Sequence, residues 1–179
     1  MKISASLLAL TLFLPGLLTG CANTETKKYT DGKVVGCNSI NHVNGNGIEL
    51  FCLGDGSVIN LDSLRGPMIL NIWGSWCGPC KDEIPYLRQF YDKYRDQVQL
   101  VGLDVEEPNK EAARPFIESH GFIWPSLFDP DGRTRAEIGM GVPVTWFIDR
   151  KGEVIYKKIG AFADFKEVET LAKKHFNLQ

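Results

Sequence analysis

Two predominantly apolar stretches of the chain, 68–73 and 98–105, predict strands that are buried on both faces of a sheet. Shorter apolar runs at 48–53 and 57–60 are joined by Gly-Asp-Gly at 54–56, which favours a hairpin turn. The same patterns predict two further strands at 144–149 and 153–159, and apolar residues at helical spacing predict helices at 78–95, 109–120 and 164–175.

The order of these elements, ββ–β–α–β–α–β–β–α, predicts an α/β fold. It contains a parallel β–α–β crossover and closes with an antiparallel hairpin and a helix. Such a chain buries its strands in a central mixed sheet that is flanked by helices on both faces. A chain of 179 residues has the size of one domain.

The N-terminus carries the pattern of an export signal. Met1-Lys2 provides a positive start, and the apolar stretch 3–18, interrupted at Pro15, is too short for a membrane-spanning helix. The stretch ends in Leu-Thr-Gly-Cys at 18–21, which resembles a bacterial lipobox whose cysteine, Cys21, is acylated and becomes the mature N-terminus. The alternative is an ordinary signal peptide in which Cys21 is incidental.

The lipobox interpretation divides the chain into a lipoprotein signal peptide at 1–20, a lipidated flexible tether at 21–36 and a folded domain at 37–179. Lipid on Cys21 would hold the protein at a membrane surface. It also accounts for the odd number of five cysteines, because four remain to pair in a disulfide-permissive compartment. The net charge of −2 argues against a nucleic-acid partner, since phosphate binding needs clustered Lys and Arg.

The most informative motif is Cys77-Gly78-Pro79-Cys80, where the chain leaves a buried strand and enters a helix. Unpaired backbone N–H groups and the helix dipole stabilise a thiolate at such a helix start. Gly78 and Pro79 permit the tight turn into the helix. We therefore expect Cys77 to be the attacking nucleophile and Cys80, turned inward, to be the resolving thiol.

Two other interpretations of this motif carry less weight. A structural disulfide between positions three apart constrains little of the chain. A zinc ribbon needs a second Cys-x-x-Cys knuckle, and Cys37 and Cys52 lie too far apart to supply one. We expect neither a metal nor a cofactor.

Three segments, 61–67, 70–85 and 141–149, carry a family resemblance. From about Gly47 to its C-terminus, the chain resembles the TlpA/ResA-type branch of the thioredoxin superfamily, which consists of exported, membrane-attached thiol–disulfide oxidoreductases. The resemblance implies a thioredoxin fold with an N-terminal β-hairpin. The helix and strand between Asn109 and Phe128 correspond to the insertion of this branch.

The resemblance also implies roles for residues near the motif. Pro143 corresponds to a cis proline that packs beside the disulfide, and Val142 to the residue that pairs with the substrate backbone. Trp76 is expected to be a partly exposed contact for partner proteins.

Glu83 corresponds to an acidic residue of the branch that is able to move protons for Cys80. The alternative is that Glu83 is a solvated member of the charged run 81–83. Asn71 occupies the place where cytoplasmic thioredoxins carry a buried aspartate, and this departure leaves no second obvious base.

Cys37 and Cys52 are predicted to form a structural disulfide at the edge of the domain. A ring of that size is worth about 3 kcal/mol in the chain-entropy estimate. The branch pattern does not require this pair. A second redox centre is disfavoured, because neither cysteine lies at a predicted helix terminus.

The expected function is thiol–disulfide exchange with partner proteins by a lipid-anchored enzyme on the extracytoplasmic face of the bacterial cell membrane. A membrane electron donor or acceptor is the expected redox partner. Pro79 removes a backbone donor that would stabilise the Cys77 thiolate, which favours a reductase. The branch likewise typically supplies reductant, for instance in cytochrome c maturation.

Three alternatives stay open. One is a disulfide-forming oxidase for exported proteins. Another is a thiol peroxidase, against which the absence of a Thr-x-x-Cys motif argues. The third is a redox-inert binding module.

Overall fold

The structure, a computed structural model, describes residues 29–139 and 141–178. Cys21, the predicted signal peptide and the first part of the predicted tether lie outside the described residues. The elements in chain order are β1 (Glu49–Cys52), β2 (Val58–Asn60), β3 (Met68–Trp73), α1 (Gly78–Tyr94), β4 (Gln99–Val105), α2 (Lys110–His120), β5 (Ser126–Asp129), α3 (Arg135–Ile138), β6 (Val144–Ile148), β7 (Val154–Ile159) and α4 (Phe165–Phe176).

The strands form one mixed sheet in the order β2-β1-β5-β4-β3-β6-β7. Strands β3, β4 and β5 run parallel, whereas β1, β2, β6 and β7 join their neighbours antiparallel. The predicted α/β architecture with a mixed central sheet is therefore confirmed. In the described part of the chain, no helix is both long and apolar enough to cross a membrane.

Each face of the sheet has its own apolar cluster. The first is rich in aromatic rings and takes residues from α1, α2 and α4, among them Trp73, Phe90, Phe116, Phe122 and Phe147. The second is mainly aliphatic and packs against Ile138 of α3. Helices thus flank both faces, but three of the four α-helices in the described residues lie on the aromatic side.

Two elements are missing from the order of strands and helices that the hydrophobic pattern predicts. Strand β5 belongs to the insertion and separates the β1–β2 hairpin from β4, so the hairpin pairs with β5. Helix α3 is not predicted, because a single four-residue turn is too short to show a helical period.

Part of the predicted tether packs on the domain. Asp31 accepts two hydrogen bonds from the Arg88 guanidinium, each 3.1 Å long. Backbone hydrogen bonds join Gly32 N to the Glu118 carbonyl and Lys33 N to the Phe122 carbonyl. The ordered part of the domain therefore begins before residue 37, because a buried arginine on α1 pairs with Asp31.

The Cys37–Cys52 disulfide ties this N-terminal segment to β1, with a Cα–Cα distance of 5.9 Å. Both cysteines are buried in the aliphatic cluster. Asp55 reinforces the junction by accepting a hydrogen bond from Cys37 N at 2.9 Å. The disulfide therefore fixes the segment to the second strand from the edge of the sheet.

Replacing both cysteines of this pair by alanine is expected to lower the free energy of unfolding by about 3 kcal/mol, because the unfolded chain regains the freedom that the ring removes. Urea unfolding measures the loss, and amide exchange at 31–37 should rise. The contact of Asp31 with Arg88 should still form in the variant. An unchanged midpoint of unfolding would contradict the structural role.

Candidate functional site

Helix α1 begins directly above the sheet, at the carboxyl end of β3. Cys77 is the N-cap residue, and its Sγ accepts a hydrogen bond from Cys80 N at 3.1 Å. Gly78 and Pro79 fill the first two helical positions. Because proline has no N–H, Pro79 offers the Cys77 sulfur no donor.

Cys77 and Cys80 form a disulfide across this first turn, with a Cα–Cα distance of 5.3 Å. Cys77 is 3% exposed and Cys80 1% exposed, so both cysteines are nearly covered. The Sγ of Cys77 lies 3.6 Å from the Val142 carbonyl oxygen, and the Val142–Pro143 peptide bond is cis. The structure therefore brings both cysteines, Val142 and Pro143 together.

Trp76 is the exposed feature of the site, with 53% of its surface accessible. Its ring borders a cavity of about 340 Å³ that Val142 also lines. The other walls come from the end of β4 and from α3, including Ile138 and an ion pair between Glu106 and Arg135. This cavity therefore lies beside Val142, whose carbonyl oxygen is near Cys77 Sγ.

Glu83 is fully buried, with 0% of its surface exposed, which excludes the alternative of a solvated charged run. Its Oε1 accepts a hydrogen bond from Asn71 Nδ2 at 2.8 Å, and its Oε2 accepts one from Phe162 N at 3.1 Å. Asn71 also donates to Thr145 Oγ1 at 3.1 Å. Burial outweighs these hydrogen bonds and raises the pKa of Glu83 to about 7.

The sequence profile described as the AhpC/TSA family matches residues 45–157. The chain belongs to this family. The matched segment contains Cys77, Cys80, Glu83 and Pro143, whereas Cys37 and α4 lie outside it.

Individual proteins similar to this chain carry names from one redox class. The chain is 34% identical over 109 residues to the thiol-disulfide oxidoreductase ResA of Bacillus anthracis, covering 59% of this chain and 62% of that protein. It resembles the solved structures of StoA from Bacillus subtilis (TM-score 0.57, 28% identity, 69% of this chain and 93% of that one) and of a protein from Chlorobium tepidum described as a putative thiol:disulfide interchange protein DsbE (TM-score 0.60, 25% identity, 74% and 94%). The match to ResA spans less than two thirds of that relative.

Potential metal ligands of this family member cluster at one place within residues 29–139 and 141–178, at Cys37, Cys52 and Asp55. The two sulfurs are bonded to each other, and a disulfide sulfur is not the thiolate that binds metals. The cluster therefore serves the fold.

Sequence reasoning missed another buried acid, Asp104, at the carboxyl end of β4 next to Trp73. It is 0% exposed, and neither carboxylate oxygen has a hydrogen-bond partner among the described residues. Burial, with a smaller contribution from the charge of Glu107, raises the pKa of Asp104 to about 9. In the sequence, Asp104 falls within an apolar run, and that position is the one available signal of burial.

Asp104→Asn is expected to stabilise the protein at neutral and mildly alkaline pH. The folded state keeps Asp104 protonated up to about pH 9, whereas the unfolded state loses that proton near pH 4, so the aspartate costs stability as pH rises through this window. The slope is at most about 1.4 kcal/mol per pH unit for one proton. Urea unfolding at several pH values measures it.

The matched control is Asp96→Asn, since Asp96 is exposed. Wild type and Asp104→Asn should converge in stability below about pH 4, where Asp104 is protonated in both the folded and the unfolded state. If the stabilities of wild type and Asp104→Asn changed in parallel between pH 5 and 9, Asp104 would not retain its proton in the folded state.

Proposed function

We propose that this protein catalyses thiol–disulfide exchange with partner proteins through Cys77 and Cys80. The observation that carries the proposal is the position of the disulfide, which spans the first turn of α1 beside Val142 and Pro143. In the oxidised protein Cys80 N already donates to Cys77 Sγ, and the positive end of the helix dipole points at the same sulfur. Both stabilise the thiolate that attacks disulfides.

The chemistry proceeds in two balanced steps. The Cys77 thiolate attacks one sulfur of a substrate disulfide, which forms a mixed disulfide and releases the other substrate sulfur as a thiolate. Cys80 then loses its proton and attacks Cys77 Sγ, which forms the Cys77–Cys80 disulfide and releases the second substrate thiolate. The partner disulfide is thus reduced by two electrons. A dithiol donor must then reduce the Cys77–Cys80 disulfide before the next cycle.

Glu83 is the group that we assign to the proton of Cys80. It lies one helical turn after Cys80 on α1 and is fully buried, and Cys80 itself belongs to the aromatic-rich apolar cluster. A carboxyl group with a pKa of about 7 is able both to accept and to return a proton near neutral pH.

A trapping experiment tests the exchange mechanism. Cys80→Ser is expected to accumulate a mixed disulfide with a reducible substrate such as insulin, because the resolving thiol is missing. Cys77→Ser should trap nothing, since the remaining thiol, Cys80, lies inside α1 and lacks the N-cap position that stabilises a thiolate. Trapping through Cys80 instead would overturn the assignment. So would insulin reduction that persists when both cysteines are replaced.

Reductase is the direction that the site favours. Pro79 provides no N–H to the Cys77 sulfur, and the ionised form of Glu83 disfavours a nearby thiolate. A less stable reduced form gives a more negative potential, which we expect to fall below about −200 mV. Equilibration of residues 29–179 with glutathione measures it, and a value near about −130 mV with rapid oxidation of unfolded substrates would establish an oxidase.

We further propose that Cys21 is acylated and anchors the enzyme at the extracytoplasmic face of the membrane. Cys21 and Tyr29 are eight positions apart, so the link spans at most about 28 Å. The redox site would then work close to the membrane surface, within reach of a membrane-bound electron donor.

Cys21→Ala is expected to release the protein from the membrane fraction without changing its exchange rate in solution, because Cys21 lies outside the redox motif. Metabolic labelling with a fatty acid analogue and fractionation measure the two effects. Cys37→Ala is the matched control and should stay labelled. Unlabelled, freely released wild-type protein would contradict the anchor.

A further inference from the structure

A row of mostly polar residues crosses the sheet beneath α1. Successive cross-strand partners from β5 to β7 lie side by side on one face: Ser126, Gly102, Asn71, Thr145 and Lys158. The adjacent row on the same face is apolar and aromatic: Leu100, Ile69, Phe147 and Tyr156. Glu83 reaches this polar row from α1, where it meets Asn71.

Lys158 ends the row on β7 and is held as a fixed cation. Its side chain is only 16% exposed. Its Nζ donates to three consecutive carbonyl oxygens, those of Ile159, Gly160 and Ala161, at 3.3, 3.3 and 3.0 Å. The ammonium also lies 3.6 Å from Glu167 Oε1.

The loop that Lys158 binds supplies one of the two hydrogen-bond donors to Glu83. The residue directly after the three carbonyls is Phe162, whose N–H donates to Glu83 Oε2 at 3.1 Å. Glu167 holds the far side of the loop by accepting a hydrogen bond from Ala163 N at 2.8 Å. The position of the Phe162 amide therefore depends on a loop fixed by Lys158.

We propose that Lys158 is a positioning residue of the redox centre, which fixes the Phe162 amide against Glu83 and supplies the positive charge that favours ionised Glu83. The consequence for catalysis rests on the proposed function, because Glu83 must exchange a proton with Cys80 for its ionisation to matter. Lys158 thereby sets the pH range in which the pair reacts.

Among the described residues, Lys158 is the cation that balances the negative charge of ionised Glu83. The other groups that face Glu83 do not supply a positive charge. Asn71 on β3 and Thr145 on β6 are neutral. Glu167 on α4 is negative and acts with burial to disfavour ionisation, whereas the charge of Lys158 acts against both. The Cys77–Cys80 disulfide on the same helix carries no charge.

Lys157 provides a matched control, because it precedes Lys158 on the same strand and faces the opposite side of the sheet. Its Nζ donates to the Glu137 carbonyl oxygen at 2.9 Å and lies 4.3 Å from the centre of the Trp146 ring. This hydrogen bond directs the Lys157 side chain to Glu137 and not to the loop at 159–162.

The test follows the ionisation of Glu83 in oxidised protein with ¹³C-labelled glutamate carboxyls, with Glu83→Gln used to assign the signal. Lys158→Met is expected to raise the pKa of Glu83 by about one pH unit, because an opposite charge is lost. Lys158→Arg should restore the wild-type value, and Lys157→Met should leave it unchanged. A wild-type titration of Glu83 in Lys158→Met would overturn the inference.

Lys158→Gln separates the two contributions and guards against misfolding, since its amide still donates to the loop but carries no charge. It should keep the native near-ultraviolet circular dichroism and still raise the pKa of Glu83. The titration needs no substrate, so a wild-type protein without exchange activity would refute the proposed function and leave this result standing. In an active protein, the pH profile of exchange should move with the pKa of Glu83, and a profile that stays fixed would refute the link to Cys80.

Discussion

The hydrogen bond from Cys80 N to Cys77 Sγ is the interaction on which the rest of the site depends. It exists because only four residues separate the end of β3 from the start of α1, and the last of them, Cys77, occupies the N-cap. Strand β3 is buried along its whole length, and Trp73 at its end packs against Phe116 and Phe122. The rigidity of that layer fixes where the helix starts and therefore where the sulfur lies.

The same layer of packed apolar and aromatic residues surrounds two buried acids. An apolar cluster that encloses Glu83 and Asp104 disfavours their charged forms and moves both pKa values toward or above neutrality. Glu83 has two hydrogen-bond donors, whereas Asp104 has none in the described part of the chain. This difference in hydrogen bonding is consistent with the lower of the two pKa values belonging to Glu83. Buried acids cost stability, and such costs are typical of functional sites.

The sequence predicts the parts of this arrangement that depend on local pattern. Strand β3, the start of α1 and the Cys77–Cys80 motif follow from an apolar run that meets a helix start. The sequence does not predict contacts that depend on the register between neighbouring strands. Asn71, Thr145 and Lys158 lie 74 and 13 residues apart along the chain, and only the pairing of β3, β6 and β7 aligns them. Asp31 likewise belongs to a polar segment, and its contact with Arg88 has no local signal.

The central claim is that the start of α1 makes Cys77, and not Cys80, the reactive thiol. Alkylation of the fully reduced protein by iodoacetamide across pH 5 to 10, with each cysteine followed by peptide mass spectrometry, tests it most directly. The account predicts that Cys77 reaches half of its maximal rate well below about pH 8.5, the midpoint of a free thiol, while Cys80 reacts slowly throughout. Equal rates for the two cysteines, both following the free-thiol profile, would contradict it.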